Sequence, residues 1–294
     1  MKRITAALLC VMLVICTSVT AFGATKNDVK EKTQTAVAFA FDGNYSTQGY
    51  DVSSSKNFYI LVSTGADVSS YEDAYFASVE AAAQNGTLTD VGTIGLAISI
   101  ADMLGRDARN INGVDLVEML QNTDVENNGG TPYSYTYATE AAHNHALEET
   151  ETALSEKLLT YYTMGEGTDF WGGYGTSPDD LGMFIIALSY DSAAYSEQIN
   201  DALAILETYY TEDGYSNYGA NADSTAFALA AYSALGNKEK ADSVYDLLIN
   251  NFYSAETGGF IADYDEYYAT ADALFAFKYY LPLADDAAEE TEST

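Results

Sequence analysis

The sequence predicts an all-α protein in which six helical hairpins of about 43 residues close into a ring. Three observations point to it. Turn glycines recur at Gly43 (DGNY), Gly86 (QNGT), Gly130 (NNGG), Gly173 (WGGY), Gly214 (EDGY) and Gly259 (TGGF), with gaps of 43, 44, 43, 41 and 45 residues. Self-similarity at a fixed period marks a repeat architecture. Segments after the glycines are apolar on nearly every side, as in VGTIGLAISIADML (91–104), LGMFIIAL (181–188), STAFALAAYSAL (224–235) and ATADALFAF (269–277), which is the pattern of buried helices. Segments before the glycines alternate faces instead, and that spacing of about 3.6 residues marks an outer helix with a wet side.

In chain order, residues 1–23 come first and have the layout of a secretory signal: Lys2 and Arg3, an apolar run from Ile4 to Cys16, and a small-residue exit at Ala21-Phe22-Gly23. A lipid-bearing Cys16 is disfavoured because Ile15 stands where a small residue is needed. The ring domain spans 24–283, opening with an outer helix (27–41) and closing with an inner one (265–281), so the first and last units can pack together. Between them, Tyr195–Tyr210 is an outer helix with Ile199, Leu203, Leu206 and Tyr210 along one side. An open solenoid would need polar capping repeats, and neither end has that character. Residues 284–294 (ADDAAEETEST) are acidic and are expected to be disordered.

The chain has 12 Lys plus Arg against 44 Asp plus Glu, a formal charge of -32 that becomes about -34 once Lys2 and Arg3 leave with the signal. Such a field repels nucleic acid and anionic lipid. Cys10 and Cys16 both lie in the signal, so the exported chain has no thiol for a disulfide, a zinc site or a nucleophile. After the signal no stretch reaches the ~20 apolar residues of a membrane span.

The turns WGGY and TGGF, each leading into an inner helix (DDLGMFIIAL, ADSTAFALAAYSAL), resemble the repeat of the alpha/alpha-toroid superfamily of terpenoid cyclases and protein prenyltransferase beta subunits, closest in character to its secreted bacterial members. The resemblance covers essentially the whole exported chain and implies a closed (α/α)6 toroid. It does not imply one function. The prenyltransferase branch needs a zinc held by Asp, Cys and His, and thioester domains need a cysteine; neither is compatible with residues 24–294. Class II terpene cyclases protonate an alkene with the middle Asp of Asp-x-Asp-Asp. Here the matching stretch is Ser177-Pro178-Asp179-Asp180, in which Ser177 replaces the first Asp and Asp179 aligns with the acid. Asp180 and Asp223, 43 apart at the starts of successive inner helices, are expected to be N-caps with lowered pKa.

Other constellations are weaker. His143 and His145 point about 200° apart on a helix, poorly placed to share a metal. Asp124, Glu126, Asn128 and Gly129 match the first half of an EF-hand loop, but Tyr135 stands where its bidentate Glu belongs. Carboxylate pairs of glycosidase type are too common in so acidic a chain to be informative. Tyr133, Tyr135, Tyr137, Trp171, Tyr174, Tyr215, Tyr218, Tyr264, Tyr267 and Tyr268 cluster near the glycine turns, where they could stack on a ligand or wedge hairpins together.

The resulting expectation is a secreted or cell-surface, non-catalytic ring without cofactor or metal, binding a small ligand, glycan or surface partner. Its binding residues would be Tyr133, Tyr135, Trp171, Tyr174, Tyr218, Asp223 and Tyr268, gathered with Asp90, Asp179 and Asp180 at the mouth where the inner helices begin. The alternative is an extracellular enzyme on a helical ring, carbohydrate-active or a diverged cyclase, using Asp179 and Asp180.

Overall fold

The computed structural model describes residues 23–41, 49–127, 130–161, 177–216 and 219–286. They form an all-α domain of twelve α-helices with one short hairpin: α1 (Lys26–Phe41), α2 (Ser55–Ser63), α3 (Ser69–Gln84), α4 (Val91–Met103), α5 (Leu116–Gln121), α6 (Pro132–Asn144), α7 (Glu148–Leu159), α8 (Pro178–Ser189), α9 (Ser196–Glu207), β1 (Tyr210–Thr211), β2 (Gly214–Tyr215), α10 (Ala222–Ala234), α11 (Lys238–Phe252) and α12 (Glu266–Tyr280). No described helix is long and apolar enough to cross a membrane.

The even-numbered helices are the more deeply buried ones. In α10, 12 of 13 residues are buried, whereas the amphipathic α11 buries only Ala241, Val244, Tyr245 and Leu248. Each even-numbered helix is announced by a capping side chain that takes up an otherwise orphaned backbone N–H. Asp51 does so for the 3-10 turn leading into α2, then Asp90, Thr131, Ser177, Asn221 and Asp265 for α4, α6, α8, α10 and α12.

These six helices pack side by side: α2 on α4, α4 on α6, α6 on α8, α8 on α10, α10 on α12, and α12 on α2. They run parallel, since Asp90 meets Ser134 at the starts of α4 and α6 while Asp102 meets His145 at their ends. Glycines allow close approaches between them. A methyl group on Gly95 would stand 2.6 Å from the Tyr137 carbonyl oxygen, and one on Gly182 would stand 2.7 Å from that of Phe227.

Between these helices the space is filled by rings. Tyr137 of α6 meets Phe275 of α12 at 6.2 Å between centroids, Phe227 of α10 meets Phe275 at 5.8 Å, and Tyr59 of α2 meets Tyr137 at 5.7 Å. Beyond them, toward the helix C-termini, Lys278 bonds Glu140 and the Tyr59 hydroxyl, and Tyr59 donates to Glu140 at 2.7 Å. A charged pair deep in a domain is sustained only when its remaining bonds are made as well.

The glycine turns contain more order than helix patterning foretells. Tyr210–Thr211 pairs with Gly214–Tyr215, and Tyr253 bridges Phe260 around Gly258. Gly214 has φ +139° and Gly258 φ +81°, backbone conformations that glycine adopts without a Cβ penalty. The aromatic after each turn is buried, and its N–H donates to a threonine ten residues on: Tyr215 to Thr225 at 3.0 Å and Phe260 to Thr270 at 2.8 Å. The Tyr215 ring meets Tyr210, and the Phe260 ring meets Tyr253 and Phe277, so each packs inside its own hairpin. Helix α9 stops at Glu207 rather than running to residue 210, so Tyr210 lies in β1 and is 46% exposed.

The packed domain also extends past residue 283. Ala284 is buried, the Asp285 N–H donates to the Ala24 carbonyl at 3.0 Å, and the Lys26 N–H donates to the Asp285 carbonyl at 2.7 Å. Residues 284–286 of the expected acidic tail therefore belong to the fold. Residues 1–22 of the expected signal (1–23) and residues 287–294 lie outside the described residues.

Candidate functional site at the starts of the inner helices

Parallel packing brings the N-terminal ends of α4, α6, α8, α10 and α12 together, and polar side chains stitch neighbouring helices there. Ser134 of α6 donates to Asp90 at 3.0 Å. Tyr133 of α6 donates to Asp180 of α8 at 2.9 Å, and Ser224 of α10 donates to Asp179 of α8 at 2.9 Å. Lys56 of α2 pairs with Asp272 of α12 at 3.2 Å. The Lys56 ammonium lies 3.4 Å from the Tyr268 hydroxyl and 4.9 Å from the centre of the same ring.

Asp180 and Asp223 are not N-caps. Ser177 accepts the Asp180 N–H at 3.1 Å and Asn221 accepts the Ser224 N–H at 2.8 Å, because the capping position is the last extended residue before the helix. Asp179 and Asp223 occupy the same place, second in α8 and in α10; Asp179 accepts from Ser224 of α10, and Asp223 feels the charges of Asp272 and Asp179. Helix dipoles would lower their pKa values, but burial wins. Asp179 is pushed up to about 6 by burial, with the Asp272 and Asp180 charges adding to it against the Ser224 hydrogen bond. Asp223 is pushed up to about 8 by burial and by Asp272 and Asp179, against the pull of Lys56.

Asp272, 2% exposed, is also raised by burial, an effect that Lys56 opposes. Burial would depress Lys56, yet Asp272, Tyr137 and Tyr268 together outweigh it and hold its pKa above the ordinary value. The Tyr133 hydroxyl is raised by burial and by Asp180 and Asp179, so it stays a donor.

Within this belt Asp223 stands apart. It is 6% exposed, and its Oδ1 is buried without a hydrogen-bond partner among the described residues. Near neutral pH the mouth therefore holds a mostly protonated Asp223 beside a mostly ionised Asp179, a donor and an acceptor in one place.

Of the residues expected at the mouth, Asp90, Tyr133, Asp179, Asp180, Asp223 and Tyr268 are brought to it. Tyr135 is not available to a ligand: it is 2% exposed, buried against Tyr161 with ring centroids 6.1 Å apart. Trp171, Tyr174 and Tyr218 lie outside the described residues. Lys56 and Asp272 were not anticipated. Their signal is a lone charge within an otherwise apolar helix, in SKNFYILVS and ATADALFAF, and the same signal marks Glu140 and Lys278.

Elsewhere, His143 meets Glu151 at 3.2 Å and His145 meets Asp102 at 3.0 Å, so the two histidines serve different partners. Asp124 closes its turn on the Glu126 N–H at 3.1 Å and on Asn127 at 2.8 Å. Among the described residues, no group of three or more His, Cys, Asp or Glu is arranged to hold a metal ion. Comparison with known protein families, curated proteins and solved structures finds no match to this chain.

Proposed function

We propose that the chain is a secreted or cell-surface ring of the alpha/alpha-toroid kind, closed by the packing of α12 on α2, which binds a ligand at the end where its inner helices begin. The observation that supports this most directly is Asp223. A buried carboxyl oxygen left unpaired costs stability, and the Lys56 that acts on it lies against a Tyr268 that is 48% exposed. A ligand hydroxyl or amine would complete it. The rings of Tyr137, Phe227 and Phe275 fill the space below, which favours a shallow ligand over an engulfed isoprenoid.

The test is a thermal-shift screen of the purified chain with glycans, isoprenoids and corrinoids, followed by titration of Asp223→Asn and Asp223→Ala. A mouth ligand should stabilise the wild type and lose affinity in Asp223→Ala. A ligand indifferent to both substitutions would place binding elsewhere.

A second reading, an extracellular enzyme, is favoured by one specific observation. Asp179 at about 6 and Asp223 at about 8 bracket neutrality, as a general base and general acid would. Asp179→Asn separates the readings, since it keeps shape and removes the ionisable proton. Complete loss of a measured turnover with the fold intact would favour the enzyme over the binder.

A further inference from the structure

A groove of about 500 Å³ runs between the loop before α10 and the loop before α12, lined by Gly219, Asn221, Phe252, Ile261 and Tyr264 among others. That volume is within the usual range of small-molecule sites, about 300–1,000 Å³. The groove is not isolated. Tyr264 meets Tyr268 with ring centroids 6.5 Å apart, Tyr268 meets Lys56, and Lys56 meets Asp272 beside Asp223. Asn221, on the groove wall, caps the helix whose second residue is Asp223. A path of contacts therefore leads from the groove wall toward the unpaired carboxyl, which is itself buried.

The rim of that path is unusually apolar for so charged a chain. Ile261 is 50% exposed, Tyr264 60% and Tyr268 48%. Exposed tyrosines offer a flat apolar face with a polar edge, a surface complementary to a sugar ring, which has C–H groups on its faces and hydroxyls round its edge. The charge arrangement narrows the ligand further. A polyanion is opposed by the net charge of -32. At the mouth end a cation would meet Lys56, which already lies over the Tyr268 ring and against Asp272, while the groove wall itself carries Asp263.

We propose that this groove is a carbohydrate subsite adjoining the mouth, taking an uncharged oligosaccharide whose rings lie on Tyr264 and Tyr268. This rests on the mouth being a ligand site.

Calorimetric titration of the full chain with cellohexaose, maltohexaose and chitohexaose tests it, with spermine and hexagalacturonate as charged counterparts. At least one neutral hexasaccharide should bind, about tenfold more weakly to Tyr264→Ala, with Tyr264→Phe close to wild type. Met103→Ala, an exposed apolar residue at the far end of α4, should leave binding unchanged. Binding that depends on Asp223 but ignores Tyr264→Ala would remove the groove while sparing the mouth. Binding of spermine alone would overturn the carbohydrate assignment. Silence toward all five probes also overturns it, and the mouth falls with it only if the wider screen of isoprenoids and corrinoids is silent too.

Discussion

Asp223 carries a pH signature of its own. Its carboxyl is held up to about 8 in the folded chain, against an ordinary value near 3.8. Between those values the folded state holds a proton that the unfolded state has released, so stability falls as pH rises from about 4 to about 8 and is flat outside that window. Asp223→Asn removes the effect while keeping the shape. The variant should melt at the same temperature as the wild type near pH 4 and at a higher one near pH 8. Thermal melts across that range check it, and a variant less stable than wild type at pH 8 would show that the ionised carboxylate has a stabilising partner. None of this was legible in the sequence. An Asp at a helix start looks like a cap whose pKa is lowered, and only the converging ends of α8, α10 and α12 reveal the burial and like charge that reverse the direction.

At the scale of the helix, the period of the chain is carried by caps as well as by glycines. Ser177 accepts the Asp180 N–H and donates to the Asp180 carboxylate at 2.7 Å. Ser177→Ala should cost ~1 kcal/mol in denaturant unfolding and loosen the bond from Tyr133 to Asp180. Gly95 matters for a different reason, because a methyl group there meets the backbone of α6. Gly95→Ala should cost ~1–3 kcal/mol, since two packed helices must move apart, despite the better helix propensity of alanine. Unchanged stability in that variant would mean that α4 and α6 are not in close contact. The helices themselves were legible, because an apolar run such as VGTIGLAISIADML has few other homes and α4 ends at Met103, within a residue of the expected 104. The hairpin at Gly214 and the packing of Tyr215 and Phe260 inside their own hairpins were not. Periodicity distinguishes helix from turn, but not which way a turn aromatic faces.

For the whole molecule, the seam between the first and last units decides the architecture. Lys56 and Asp272 join α2 to α12, and Thr25, just before α1, bridges Asp285, just after α12. Lys56→Met leaves Asp272 buried without its cation. The expected loss is ~2–3 kcal/mol, below the ~3–5 of a wholly buried pair because the Lys56 side chain is 35% exposed. Hydrogen exchange should quicken in α2 and α12 before α6 and α8, and uniform quickening would speak against a seam. The period of the glycines foretold which segments would be neighbours, whereas the ion pairs that tie them came from single charges in apolar helices, too sparse to assign partners without the fold.

The mouth as a buried carboxylate site is tested most directly by carbon-13 NMR titration of the aspartate side chains. Two carboxyls should titrate with midpoints near 6 and near 8, and each should vanish in turn from Asp179→Asn and Asp223→Asn. If every aspartate instead titrated below about pH 5, near the ordinary carboxyl range, the inner helices would not converge on a common acidic mouth.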